Sequence, residues 1–376
     1  MKNIYLDYNA TTPVDPAIVE EMLPFFSEHY GNPSSTHVLG RIAEEAIETA
    51  RQRVAMAIGA DSDEILFTSG GTESNNLALL GVMQQHPPGA HLIISALEHP
   101  AIVQPAARLR ELGYSVTVAK SDANGVVDID QIADAMREDT VLVSVMHANN
   151  EIGTLQPIAE IASLCRNREV LLHTDAAQSV GKIRVLIHEL DVDLLTIAGH
   201  KVYAPKGVGA LFVRRGTALQ PVLRGADHEA GLRPGTENTP YIVGLGCATL
   251  LAAKDLEIGS DLVAQQRDQL ESTLTKQIPA AIVHGQKSPR LPNTLSISLP
   301  GVVGQEVLDR CPEICASTGS ACHSGAVNMS STLAAMGVSR DVAAGTIRLS
   351  LGRTTTGEQV ERAANLLIEA WEQLTN

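Results

Sequence analysis

A lysine, a carboxylate and a glycine-rich loop lie near the ends of three apolar runs. Lys201 stands in Ala198-Gly199-His200-Lys201, just beyond the run Leu194–Ala198. An amine at such a place is desolvated, which lowers its pKa and frees it as a nucleophile toward a carbonyl. Asp175 stands in His173-Thr174-Asp175-Ala176-Ala177-Gln178, at the end of Val170–Thr174. Ligands of open α/β sheets sit at the carboxyl ends of strands, where an acid can pair with a protonated ring nitrogen. The loop Ser69-Gly70-Gly71-Thr72-Glu73-Ser74-Asn75-Asn76 follows Glu64–Thr68 and opens a helical pattern. Glycines let a ligand approach the backbone, and free N–H groups at a helix start favour an anion. Thr72 could cap that helix or bind a phosphate. Taken singly, each feature has a plain alternative: a well-capped turn, a capping aspartate, a surface lysine.

Their combination changes the balance. An anion loop, an acid at one strand end and a lysine at the next are the three parts that pyridoxal phosphate requires. The first would hold its phosphate, the second keep its pyridinium charged, the third bind it as a Schiff base. The loop lacks the Gly-Lys-Ser/Thr of a Walker A motif and is not GxGxxG, so a nucleotide is disfavoured.

The elements that must position these residues follow from the apolar patterning. Strand-like runs are Glu64–Thr68, His91–Ala96, Ser115–Ala119, Val141–His147, Val170–Thr174, Leu194–Ala198 and Val208–Val213. Helical spacing between them covers Thr72–Gln85, Ala101–Leu112, Ile129–Arg137 and Ile158–Arg166. This alternation predicts an α/β fold around a largely parallel, doubly covered sheet. The texture changes near residue 250. One long helical segment, Tyr241–Gln277, leads to a strand at Thr294–Ser298 and a helix at Val360–Leu374. A large domain over 14–255 is expected, with a smaller α+β domain made of 1–13 and 256–376.

The 376 residues carry a formal charge of -15, which disfavours nucleic acid and anionic membranes as partners. The first residues show no apolar signal region, and no run approaches the ~20 apolar residues of a membrane span. A cytoplasmic location is the expectation. The five cysteines are too few and uneven for a disulfide framework. Cys165 and Cys247 fall in apolar helical patterns as buried thiols. Cys311-Pro312-Glu313-Ile314-Cys315 has zinc-like spacing, but a second ligand pair is absent and no metal is expected.

The chain resembles fold-type I pyridoxal-phosphate enzymes. More narrowly, it resembles the class V aminotransferase group that holds cysteine desulfurases of the NifS/IscS type and selenocysteine lyases. The resemblance spans nearly the whole chain. It includes Tyr5-Leu6-Asp7-Tyr8-Asn9-Ala10-Thr11-Thr12-Pro13, Gly31-Asn32-Pro33-Ser34-Ser35, the glycine-rich loop, Glu98-His99 and Met146-His147-Ala148-Asn149-Asn150-Glu151. It continues through the Asp175 and Lys201 motifs, Arg233-Pro234-Gly235-Thr236-Glu237-Asn238, Gly319-Ser320-Ala321-Cys322 and Ile347-Arg348-Leu349-Ser350.

The resemblance implies a large domain with a mainly parallel seven-stranded sheet. Lys201 would carry the cofactor and shuttle protons, and Asp175 would pair with its ring nitrogen. Gln178 would contact the phenolic oxygen, and His99 would stack on the ring and assist proton transfer. Gly71, Thr72 and His200 would hold the phosphate, joined by Thr236 from the neighbouring subunit of a homodimer. Asn150 and Arg348 would bind the substrate carboxylate, for which a bidentate Arg is suited. Cys322 matches the catalytic cysteine, in a small-residue segment with few apolar anchors and expected to be mobile. Its thiolate would take sulfur from L-cysteine as a persulfide, release L-alanine and pass the sulfur to an acceptor protein. Cysteine desulfurase is therefore the leading expectation. The alternatives are a selenocysteine lyase acting on L-selenocysteine, an aminotransferase of the same fold and a non-catalytic relative.

Two departures stand out. Ala198 occupies a position where many desulfurases have a phosphate-binding Ser, and His323 follows Cys322 where Thr or Ser is usual. Ala321-Cys322-His323-Ser324 and the string from Arg233 to Pro240 look more like animal selenocysteine lyases. A protonated His323 beside Cys322 would raise its thiolate fraction.

Overall fold

The computed structural model describes residues 3–258, 260–318 and 329–375. Its strands, in chain order, are β1 Ile4–Tyr5, β2 Ile65–Thr68, β3 His91–Ser95, β4 Ser115–Ala119, β5 Thr140–Ser144 and β6 Leu171–Asp175. They continue as β7 Leu194–Ala198, β8 Gly209–Val213, β9 Ile282–Val283, β10 Thr294–Ser298, β11 Ile314–Cys315 and β12 Thr346–Ser350.

Seven strands form one sheet in the order β2-β8-β7-β6-β5-β3-β4. β3 through β7 pair in parallel, whereas β8 runs antiparallel to both β2 and β7. The near-continuous apolar runs suit a sheet buried on both faces. Helices cover it, and two apolar clusters result. One gathers Phe67, Ile93, Val143, Leu195 and Phe212 with the helix Val38–Ile58. The other packs Leu66, Leu92, Leu142 and Leu211 against the helix Gly71–Met83. Polar residues inside the sheet are paired across strands. His173, for example, bridges Ser144 Oγ at 2.8 Å and Thr196 Oγ1 at 3.1 Å. Burial lowers its pKa to about 3, so the ring stays neutral.

A separate core lies around the antiparallel sheet β12-β10-β9. It includes Leu270, Leu274, Leu295, Leu349 and Leu367. β1 pairs in parallel with β11, and Ile4 and Leu6 are buried in this core. The first strand therefore belongs with elements from the far end of the chain, which then crosses to the large sheet.

The segment Tyr241–Gln277 falls within the helices Thr239–Ile258 and Ser260–Gln277, as its spacing predicts. Two details differ from the sequence reading. β12, which the sequence marks only as a motif, is a fully buried strand. Gly70 rather than Thr72 is the N-cap of the helix Gly71–Met83.

Candidate active site

At the carboxyl ends of β6 and β7 lies a cavity of about 450 Å³. Its lining includes Gly71, Thr72, His99, Asn150, Asp175, Gln178, His200, Lys201 and Arg348. The parallel strands β3 to β7 all end at this edge of the sheet, which brings these dispersed residues together.

Lys201 ends the turn Gly199–Lys201 that follows β7. Its Nζ donates to the main-chain oxygens of Asn9 at 2.6 Å and Ala10 at 2.7 Å. Burial, and then the nearby Arg348 guanidinium, lower its pKa to about 8 against the partial opposition of Asp175 and Asp7. About a tenth of the amine is therefore neutral at pH 7.

Asp175 is the last residue of β6 and is buried. Its Oδ2 accepts from Asn75 Nδ2 at 2.7 Å, and its Oδ1 from the Ala177 N–H at 2.9 Å. Asn75 comes from the helix that the glycine-rich loop begins, so the loop and the acid are locked together.

That loop is built for close approach. Gly70 has φ 148°, a conformation that side chains disfavour. A Cβ on Gly71 would stand 3.2 Å from the Ala198 Cβ. Glu73 holds the turn from below, accepting from Ser69 N–H at 2.7 Å and from Arg233 Nε at 3.0 Å. Although burial opposes it, these bonds keep the Glu73 carboxyl below its usual pKa. Thr72 is exposed and makes no cap. It borders both the main cavity and an adjoining one of about 380 Å³, as do Gly71 and His200. The His200 ring meets Thr11 Oγ1 at 3.2 Å. Its pKa falls to about 4 through burial and then the charge of Lys201.

His99 caps the helix Pro100–Glu111, its Nδ1 accepting from the Ala101 N–H at 3.1 Å. This directs the opposite edge of the ring away from the helix. Burial lowers its pKa, with Asp175 opposing and Lys201 reinforcing the shift.

Arg348 projects from β12 of the smaller sheet. Nη2 pairs with Asp7 Oδ1 at 2.7 Å, Nη1 donates to Asn150 O at 3.0 Å, and Nε has no partner among the described residues. The Asn150 side chain borders the same cavity.

Asn9 stands out in the sequence only as part of a motif, yet it is a hub. Its carbonyl accepts from Gln178 Nε2 at 3.0 Å as well as from Lys201. Its side chain reaches Thr294 Oγ1 and Asn150 O, and accepts from Lys182 and Asn293. Glu98 is a second residue that local patterning misses. It is buried, and its pKa is pushed up to about 8 by burial, against bonds from Ser95 and Met146. No local signal marks either role, because the partners that define each include residues distant in sequence.

Thr236 is exposed and lies beside Arg233 and Glu237, outside the cavity of its own chain. Cys322 and His323, with the mobility expected of their segment, lie outside the described residues. Cys165 and Cys247 are buried as expected, and so is Cys311, whose thiol burial pushes up to about 11.

The donor set fits pyridoxal phosphate. A partly neutral lysine, a buried carboxylate and a helix start without Cβ crowding surround one cavity. The first-turn N–H groups of that helix have no intrahelical acceptor and suit a phosphate.

Comparisons with known proteins agree with this chemistry. The family described as aminotransferase class-V matches residues 4–363. The cysteine desulfurase IscS of Dictyoglomus turgidum is 43% identical over 376 residues, covering 99% of this chain and 95% of that protein. A solved NifS-like protein superposes with a TM-score of 0.91 at 36% identity, covering 99% of each chain. A structure described as SspA in complex with cysteine gives a TM-score of 0.83 at 35% identity, over 94% of this chain and 99% of that one.

Proposed function

The chain belongs to the class-V aminotransferase family, and from that membership we propose that it is a pyridoxal-phosphate cysteine desulfurase. It converts L-cysteine to L-alanine and passes the sulfur on. The observation that carries this reading is Lys201, which borders one cavity with Asp175, Gly71 and Arg348 and whose burial, with Arg348, lowers its amine to a pKa of about 8.

Lys201 would hold the cofactor covalently, Asp175 its ring nitrogen, Gln178 its phenolic oxygen and His99 its ring face. Gly71, Thr72 and His200 would hold the phosphate. Bound pyridoxal phosphate supplies an electron sink that makes the substrate α-proton acidic. Arg348 is set to bind the substrate carboxylate, and Asp7 fixes its guanidinium plane. Lys201 Nζ would take the α-proton of the substrate and return a proton to the product. In the sulfur step, the Cys322 thiolate attacks the substrate sulfur. An S–S bond forms as the S–Cβ bond breaks, and the electron pair left on carbon takes a proton to give alanine. Cys322 then bears a persulfide for an acceptor protein.

A homodimer belongs to this proposal. Two facts support it: Thr236 is exposed beyond its own cavity, and Leu23, Phe26 and Tyr30 present an apolar face, each more than half exposed. The cytosol suits a thiol enzyme, and four free cysteines are found among the described residues.

The test is release of alanine and sulfide from L-cysteine and of selenide from L-selenocysteine. Turnover of L-cysteine with stoichiometric alanine supports the proposal. Turnover of L-selenocysteine alone would assign a lyase instead.

A further inference from the structure

Lys182 is a second lysine near the site, half-buried, one that the proposed chemistry does not use. It follows the turn after β6 and forms no salt bridge with any described residue. Burial, and then the like charges of Lys201 and Arg348, push its pKa well down. Burying an amine without a carboxylate is costly, so its hydrogen bonds must compensate. It makes two: Nζ donates to Gln178 Oε1 at 2.7 Å and to Asn9 Oδ1 at 2.9 Å.

Those bonds have a directional consequence. An amide can present either its oxygen or its NH₂ group to a neighbour, and the two ends are nearly equal in size. The Lys182 amine faces two amide oxygens, donates to both, and so takes the oxygen end of Gln178. The Nε2 end is then turned to the Asn9 carbonyl, at 3.0 Å, on the side of the cavity that Gln178 borders. Asn9 cannot rotate to release the arrangement. Its own oxygen also accepts from Asn293 Nδ2 at 3.0 Å, and its NH₂ group donates to Thr294 Oγ1 at 2.8 Å.

We propose that Lys182 is a positioning residue that fixes the amide of Gln178 as a hydrogen-bond donor toward the cofactor's phenolic oxygen. This rests on the reading that pyridoxal phosphate occupies the cavity. Lys182 borders a neighbouring cavity and not the one that Gln178 borders, so it acts through Gln178 and does not touch the cofactor. With the donor fixed, the phenolic oxygen keeps its negative charge and holds a shared proton less strongly. With Gln178 free to turn, its oxygen faces that charge for part of the time and the proton is held more strongly.

The test is a pH titration of the cofactor's visible absorbance in holoenzyme. Wild type, Lys182→Met, Gln178→Ala and the double variant are compared, after circular dichroism establishes that each is folded. Lys182→Met is expected to raise the midpoint by about 0.4–1 unit, the equivalent of one ordinary hydrogen bond. Gln178→Ala shifts it in the same direction, and the double variant shifts no further than Gln178→Ala alone, because the two residues act in series. Lys182→Gln supplies a second probe should the methionine variant misfold, and it is expected to shift less because its amide can still donate. A midpoint unchanged in the Lys182 variants, or shifts that add in the double variant, overturns the proposal while the cofactor reading stands. A wild-type protein that shows no visible band after incubation with pyridoxal phosphate overturns both.

Discussion

Lys201 Nζ lies 2.6 Å from the main-chain oxygen of Asn9, a residue 192 positions earlier in the chain. The N-terminal segment therefore forms a wall of the site, and the amine is held among carbonyls and away from bulk water. Its pKa of about 8 follows from that burial and from Arg348. Only the neutral amine attacks an aldehyde, so the protonated form at low pH is inactive. The rate of cofactor attachment to apoenzyme should rise about tenfold per pH unit and level off near pH 8, not near the ordinary lysine value of about 10.4. Arg348→Met removes a repelling cation and leaves Asp7 unpaired, and both changes favour the ammonium. The plateau should then move to higher pH, as stopped-flow absorbance would record.

Asp175→Asn keeps an acceptor oxygen for Asn75 or Ala177 but removes the charge. Alanine production should fall about 10–100-fold, as expected for loss of one charge-assisted hydrogen bond. The cofactor should remain attached to Lys201, as borohydride reduction and peptide mass analysis would show.

Ala198→Ser adds a hydroxyl beside Gly71, since the Ala198 Cβ already borders the space next to that glycine. One added hydrogen bond to phosphate should tighten cofactor binding by about 2–10-fold. Equilibrium dialysis at several cofactor concentrations measures it.

The strand leading into the glycine-rich loop is pinned by a buried ion pair. Arg51 Nη2 meets Glu229 Oε1 at 2.8 Å, and Glu229 Oε2 also accepts from the Phe67 N–H at 2.7 Å. Glu229→Ala would leave Arg51 only Glu48 and the Ile65 carbonyl as partners, and would leave the Phe67 N–H unpaired in the core. A loss of about 2–3 kcal/mol is expected, seen as a lower urea midpoint.

Much of the site is legible in the sequence because the cofactor-binding parts follow strand ends. The apolar runs Val170–Thr174 and Leu194–Ala198 match β6 and β7 to within one residue, so Asp175 and Lys201 fall at the sheet edge as expected. What pattern does not reveal depends on distant partners. Asn9 joins Lys182, Thr294 and Asn293 across as many as 285 positions, and no periodicity marks it. Lys182 looks like a surface lysine after a glycine until Gln178 and Asn9 are seen around its amine. Thr72 is a reasonable cap by residue type, but the cap position has a φ of 148°, which Gly70 tolerates and a threonine does not.

The central claim divides the work between Lys201, which moves protons, and Cys322, which takes the sulfur. The most direct measurement pairs alanine release from L-cysteine with mass analysis of the Cys322 peptide, in wild type and Cys322→Ala. The account predicts a peptide heavier by one sulfur atom in wild type and loss of alanine and sulfide release in the variant, with the cofactor's visible band retained. Undiminished alanine release by Cys322→Ala would contradict it.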